Sequence, residues 1–254
     1  MRSLQLSVVF LFLTLAAITA GATTILPVDA AQAVDQAELI FVGQAVAREV
    51  ALTPGDRTPF TFVTFTVDQV LKGSVEGDEI TLRFFGGEVD DEVIEAVGMP
   101  QFEELGKYLL FVEGNGRSMA PLVGWWQGKM DIVAHPITGL DMLVNHTGRP
   151  VFGVARDAWR ASTDLKVDAD GLFKAGQDDG VEVLWQDGVV IEDESLDVRQ
   201  KGAMVPPASM VLDQVRALVS SRATMKSFRK GKDVKSAAVS DLPYNLTFDA
   251  VAPN

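Results

Sequence analysis

The chain has 254 residues, 47% of them hydrophobic and 22% charged, with 22 Gly and 11 Pro. That is the make-up of a globular protein of one or two small domains, and it excludes a disordered or collagenous chain. Its 22 Lys and Arg stand against 35 Asp and Glu, a net charge of −13, which argues against a nucleic-acid partner because such a surface repels a phosphate backbone. Cys is absent, so disulfides, Cys-ligated zinc, a thiol nucleophile and a lipidated N-terminal Cys are all ruled out.

Met1 and Arg2 precede an apolar run from Leu4 to Ala17 that is too short to span a bilayer stably, and Ala20-Gly21-Ala22 follows with the small residues a signal peptidase accepts. The expectation is a signal peptide over residues 1–22, cleaved after Ala22 (alternatively after Ala20), with the exported chain beginning near Thr23 at a charge of −14. No later segment reads as a membrane span. The compartment expected is secreted or periplasmic.

Val28, Ala31, Val34 and Ala37 recur at helical spacing with Asp29 in the first turn, which predicts a short leading helix between Pro27 and Glu38. Leu39 to Val46 is apolar and strand-like, and Pro54-Gly55-Asp56 is a turn. Phe60 to Asp68 alternates with period two and ends at Lys72-Gly73. A third strand, Glu79 to Phe85, stops at the corner Gly86-Gly87, and the acidic stretch Glu88, Asp90, Asp91, Glu92 follows. Beyond the loop Gly98-Met99-Pro100 come predicted strands at Lys107–Glu113, Met119–Trp126, Gly128–Ala134 and Gly139–Val144. The signal weakens after Gly153. A hairpin is expected over Val181–Ile191, and Ser209 caps a helix whose apolar face is Val211, Leu212, Val215, Leu218 and Val219. Past Arg222 a loose tail is expected, basic at Lys226, Arg229, Lys230, Lys232 and Lys235.

Three blocks carry a resemblance: Ala37-Glu38-Leu39-Ile40-Phe41-Val42-Gly43, then Thr64-Phe65-Thr66-Val67 to Val70-Leu71-Lys72-Gly73, then Gly106-Lys107-Tyr108-Leu109-Leu110-Phe111. Their order resembles the netrin-like domain, the OB-like barrel shared with tissue inhibitors of metalloproteinases, over about residues 28–130. With the stretch Gly124 to Gly128 and a closing helix, the chain is also similar to a set of exported bacterial proteins with the same blocks. The resemblance implies a small barrel. It implies protease inhibition only in part, because the animal inhibitors present an N-terminal Cys to the protease zinc and this chain has none.

Few residues suggest chemistry. His135 and His146, with Asp141 between them, supply two imidazoles and a carboxylate as candidate metal ligands, although both histidines read equally as loop residues. No H-E-x-x-H, G-x-S-x-G, P-loop or dinucleotide fingerprint is present. Ser118 and Ser162 are the serines weighed for a hydrolase, and Glu88, Asp90, Asp91 and Glu95 the carboxylates weighed for a glycosidase pair, against solvated loops. Asp168-Ala169-Asp170-Gly171 matches part of a calcium loop but lacks its closing Glu, so it reads as a turn. Trp125-Trp126 on a strand would send one indole inward and one outward, and with Met99 and Pro100 would form a partner-binding patch.

The fold expected is mainly β: a small antiparallel OB-like barrel with a leading helix, a C-terminal β extension and a C-terminal amphipathic helix. Its divisions are the leader 1–22, the barrel 23–128, the extension 129–200 and the helix and basic tail 201–254. The function expected is an exported, non-catalytic binding module that recognises a protein or an envelope component and needs no cofactor. The alternatives are an exported hydrolase or metal-dependent enzyme using His135 and His146, and an inhibitor of an exported metalloprotease.

Overall fold

The computed structural model describes residues 26–52, 58–89, 92–94, 96–155, 157–176 and 196–240. The leader, the 54–56 turn, Asp90, Asp91, Glu95, the 181–191 hairpin and the chain from 241 onward lie outside the described residues.

Helix α1 (Ala30–Gln36) starts where Asp29 accepts a hydrogen bond from the Gln32 backbone N–H at 2.7 Å while the Gln32 side chain accepts from the Asp29 N–H, a reciprocal capping box. Strands β1 (Leu39–Leu52), β2 (Pro59–Lys72) and β3 (Glu79–Phe85) then pair antiparallel in sequence. The chain leaves β3 through a small hairpin, β4 (Gly87–Val89) and β5 (Glu92–Ile94), and returns as β6 (Lys107–Val112) on the other side of β1. The spatial order β6-β1-β2-β3 is a Greek key. A 3₁₀ turn at Trp125–Gly128 leads into β7 (Lys129–Ala134) and β8 (Asp141–Val144), which complete a six-stranded sheet. The sheet therefore runs across the expected division at residue 128. Two hairpins follow, β9 (Val151–Ala155) with β10 (Ala158–Ala161) and β11 (Leu165–Val167) with β12 (Phe173–Ala175), then α2 (Val198–Gly202) and the long α3 (Ala208–Ser240). Helix α3 runs past Arg222, where a loose tail was expected.

The sheet buries both faces at its centre. Five successive residues of β1 and five of β6 are buried, as required of strands covered on two sides. On one face Ile40, Leu109, Phe111 and Leu143 pack against Val34 of α1 and Val211, Val215 and Leu218 of α3. On the other, Phe41, Phe65, Phe84, Tyr108 and Leu110 form an aromatic layer closed by Phe102.

The expected cylinder does not close. In the order β3-β2-β1-β6-β7-β8, the outer strands β3 and β8 do not pair with each other. At β3 the physical reason is visible: the Asn115 side chain accepts from the Arg83 N–H at 3.1 Å and donates to the Thr81 carbonyl at 2.9 Å, while the Phe85 N–H donates to the Met119 carbonyl at 2.8 Å. A loop thus occupies the edge where a closing strand would sit, which also protects that edge from pairing with another chain.

Helices α1 and α3 are tied down by charge. Lys72 at the end of β2 donates to the Val34 carbonyl at 2.6 Å and to that of Ala37, satisfying the open C-terminal end of α1. Gly73 follows with φ 81°, and a Cβ there would strike the Glu38 carbonyl. Arg222 pairs with Asp35 of α1, and Lys226 reaches the same carboxylate at 3.2 Å. The Arg222 hydrogen bond holds the Asp35 carboxyl below its ordinary range.

Candidate binding site on the β3–β6 crossover

The crossover from β3 to β6 lies over the aromatic face of the sheet. Its first corner depends on Gly87, at φ 146°, where a Cβ would overlap the Val50 side chain, so β4 passes in close contact with β1. The Thr61 hydroxyl fixes the corner by donating to the Gly86 carbonyl at 2.8 Å. At the far end, Leu105 N–H donates to the Ala45 carbonyl at 2.8 Å, and Ala45 N–H to the Gly106 carbonyl at 2.9 Å. The Tyr108 hydroxyl accepts from the Glu103 N–H at 2.8 Å. Between these anchors Phe102 inserts its ring among Phe65, Phe84 and Tyr108, each at 5.1 Å between centroids.

Beside Phe102 a cavity of about 200 Å³ remains. Its walls include Val63, Phe84, Ile94, Met99 and Phe102, and Arg48 and Glu88 line it as exposed charges of opposite sign. Val93, Ile94 and Val97 expose 65%, 41% and 98% of their surface. Val93 and Ile94 line the cavity, so their exposed apolar surface continues it outward, and wet apolar surface beside a cavity marks recognition more often than it marks chance.

Met99 and Pro100 line this cavity, with Pro100 buried and Met99 half-buried. Trp126 comes to the same loop from the other side. Its indole packs against Gly98 so closely that a Cβ there would overlap the ring. The expected inward and outward split of the Trp pair does not occur: Trp125 and Trp126 sit in the 3₁₀ turn and both are half-buried. Gly124 and Trp125 at φ 59° and 61° turn the chain out of the strand conformation that apolar content alone suggested.

The three candidate metal ligands are held by separate partners. His135 is 2% exposed, its Nε2 is 3.0 Å from the Gly202 carbonyl of α2, and its Nδ1 accepts from the Ile137 and Thr138 N–H groups at 3.1 and 3.2 Å. The ring is therefore the Nε2–H tautomer, stapling the β7–β8 turn to α2. His146 lies against Trp126, with ring centroids 6.4 Å apart, and burial followed by the nearby Lys129 charge lowers its pKa to about 4. Asp141 is 3.4 Å from Lys107, which is also 3.4 Å from Asp68. Among the described residues no group of three or more His, Asp or Glu is placed to hold a metal ion. His135→Ala is expected to cost about 2 kcal/mol, because a buried hydrogen-bonding hub is lost. Urea unfolding checks this, and a melting temperature that rises with added Zn²⁺ in the parent protein would reinstate His135 as a ligand.

The serines are structural too. The Ser162 hydroxyl is buried and pairs with the Asp164 carboxylate at 2.8 Å, and Ser118 bonds the carbonyls of Gly114 and Ala120 at 3.1 and 2.9 Å. Asp168 accepts from the Asp170 and Leu172 N–H groups, closing an Asp-Gly turn between β11 and β12. A wider groove of about 750 Å³ runs beside Asp68, Lys107 and Asp141 at the start of α3.

The site thus belongs to a mainly antiparallel β protein with helices on one face of its sheet and a bridging crossover on the other. No family model, no curated protein and no solved structure matches the chain. Among the described residues no helix is long and apolar enough to cross a membrane.

Proposed function

We propose that the chain is an exported, non-catalytic binding module of OB-like, netrin-domain type, which recognises another protein or an envelope component through the β3–β6 crossover. One observation carries this reading: the crossover holds a cavity of mixed lining, with Val63, Phe84, Met99 and Phe102 beside Arg48 and Glu88, open next to the exposed Val93 and Ile94. The two histidines, by contrast, face structural partners. The OB-like assignment draws on the Greek-key order and on the bulges in the long β1–β2 pair, with the cylinder left open at β3.

A photoreactive residue in place of Val97 is expected to give a defined protein adduct when irradiated in an envelope extract. The same group in place of Met225 on α3, which is also exposed, is expected to give none. Equal adducts from both positions, or turnover of a substrate by the pure protein, would overturn the reading.

A further inference from the structure

We infer that residues 242–248 of one copy of the chain add a strand to the open edge of β1 in a second copy. Backbone groups of β1 make this contact, so it holds whether or not the crossover binds a partner. Strand β6 covers β1 only from Leu39 to Gln44, and the last rungs join Ala45 to Leu105 and Gly106. Beyond Ala45, β1 continues to Leu52 with β2 on one side and, among the described residues, no strand on the other. The direction of its backbone groups follows from the neighbouring rungs. In β2, the Val67 N–H bonds the Asp78 carbonyl and the Pro59 carbonyl bonds the Gly86 N–H, both on the β3 side. Alternate residues Thr61, Val63 and Phe65 face the same way, whereas Phe60, Phe62 and Thr64 face β1 at Ala51, Glu49 and Ala47. The N–H and C=O groups of Arg48, Val50 and Leu52 therefore point outward, along a stretch where Ala47, Arg48, Glu49 and Ala51 are exposed. Such a row is a template for another strand, and at β3 the corresponding row is masked by Asn115 and Met119.

The occupant follows from pattern and reach. Leu242, Tyr244, Leu246 and Phe248 fall at every second position, alternating with Pro243, Asn245 and Thr247. That is the period of a strand with one apolar face, and Pro243 near its start restricts it to an edge. Helix α3 starts in the groove beside Lys107, which pairs with Gln44, and by Arg222 and Lys226 it has come to Asp35 of α1, at the Leu39 end of β1. It thus runs against the direction of β1, and its residues 223–240 carry it about 27 Å farther at about 1.5 Å per residue. From Leu39 to Arg48, β1 extends about 30 Å the other way at about 3.3 Å per residue. Residues 241–248 span at most about 28 Å fully extended, about half of the roughly 57 Å that separates Ser240 from the open edge of its own β1. The segment therefore meets that edge only in another copy, and because each copy carries both donor and acceptor, two copies exchange strands reciprocally.

The test is sedimentation velocity of the full chain beside two variants. Leu246→Asp with Phe248→Asp spoils the donor, and Val50→Pro spoils the acceptor by removing an outward N–H that makes no bond to β2. The full chain is expected to associate at micromolar concentration, and each variant alone to associate at least tenfold more weakly. An equimolar mixture of the two variants retains one good donor and one good acceptor, so it is expected to recover a one-to-one complex, which misfolded protein would not do. A second measurement leaves the fold untouched: a photoreactive residue replaces Thr247 in heavy-isotope-labelled chain, which is irradiated with an excess of unlabelled chain lacking the group. The expected adduct joins the labelled 242–248 segment to the unlabelled β1 peptide around Arg48–Leu52. A full chain that stays monomeric at hundred-micromolar concentration, association that survives both variants, or adducts confined to the labelled chain or to other peptides would overturn the inference. None of these results bears on the Val97 adduct, so the crossover reading stands or falls separately.

Discussion

Phe65→Ala is expected to lower the unfolding free energy by about 3–5 kcal/mol, the range for a fully buried aromatic cut to a methyl group. Phe65 has no exposed surface and meets Phe41, Phe102 and Tyr108 edge-on, at 5.9, 5.1 and 6.3 Å between ring centroids. Each such pair adds about 0.5–1.5 kcal/mol beyond area burial. The neighbours have little freedom to fill the gap: Phe41 and Tyr108 belong to central strands β1 and β6, and Phe102 is fixed by the hydrogen bonds that pin the crossover. A domain stable by about 5–15 kcal/mol survives this loss with a reduced margin. Guanidinium unfolding should therefore show a lower midpoint with an unchanged slope. The same substitution should also weaken binding at the crossover, because Phe65 backs the ring that forms one wall of the cavity. Phe65→Leu keeps most of the volume and is expected to cost about 1–1.5 kcal/mol. A loss below 1 kcal/mol for Phe65→Ala would mean that the aromatic face is not a load-carrying core.

Much of the first half of the fold is legible in the residues because local pattern and tertiary role agree there. Glu79–Phe85 alternates and is a strand with those bounds; Asp29 caps α1; and the spacing of Val211, Val215 and Leu218 gives the docked face of α3. The residues that carried the netrin-like resemblance are read equally well as fold positions. Lys72 closes the carbonyl end of α1 and Gly73 admits the Glu38 carbonyl. Gln127 accepts from the Val28 N–H at 2.9 Å and donates to the Leu26 carbonyl at 3.1 Å, which ties down the segment before α1. Such residues recur for architecture and say nothing of activity.

What escaped the sequence was non-local. Periodicity does not reveal that Asn115 occupies the β3 edge, so the sheet was expected to close into a cylinder. Trp125-Trp126 looked like strand from its apolar content, and the backbone conformation at Gly124 and Trp125 decided otherwise. The short hairpins β9–β10 and β11–β12 carry little periodicity, since three to five residues hold only one or two full repeats each. Met99 and Pro100 were singled out from the loop signal and Trp126 for its aromatic character; Met99 and Pro100 stand in the cavity wall and Trp126 against Gly98. Val93 and Ile94 were hidden in an acidic stretch that read as solvated.

His146 sets the second large expectation, a loss of stability confined to mild acid. Its pKa falls from the ordinary 6.5 to about 4 in the folded chain, because burial penalises the imidazolium and Lys129 repels it. Above pH 6.5 the ring is neutral in both folded and unfolded chains and contributes no pH dependence. As the pH drops from 6.5 to 4 the unfolded chain takes up a proton that the folded chain does not, so stability declines across that window and levels off below it. The full shift corresponds to about 3 kcal/mol, and partial exposure of the ring reduces the expected loss to about 2 kcal/mol. Asp35 and Asp164 are held below their ordinary range by Arg222 and by Lys201 with Ser162, the latter against a burial effect of opposite sign. Their stabilising contributions are lost only as the pH falls below about 3.8, so the two windows separate. Urea unfolding at half-unit steps from pH 7.5 to 2.5 should trace the His146 decline, and His146→Gln should flatten it while leaving the later carboxylate loss in place. An unchanged slope in His146→Gln would place the acid-sensitive group elsewhere.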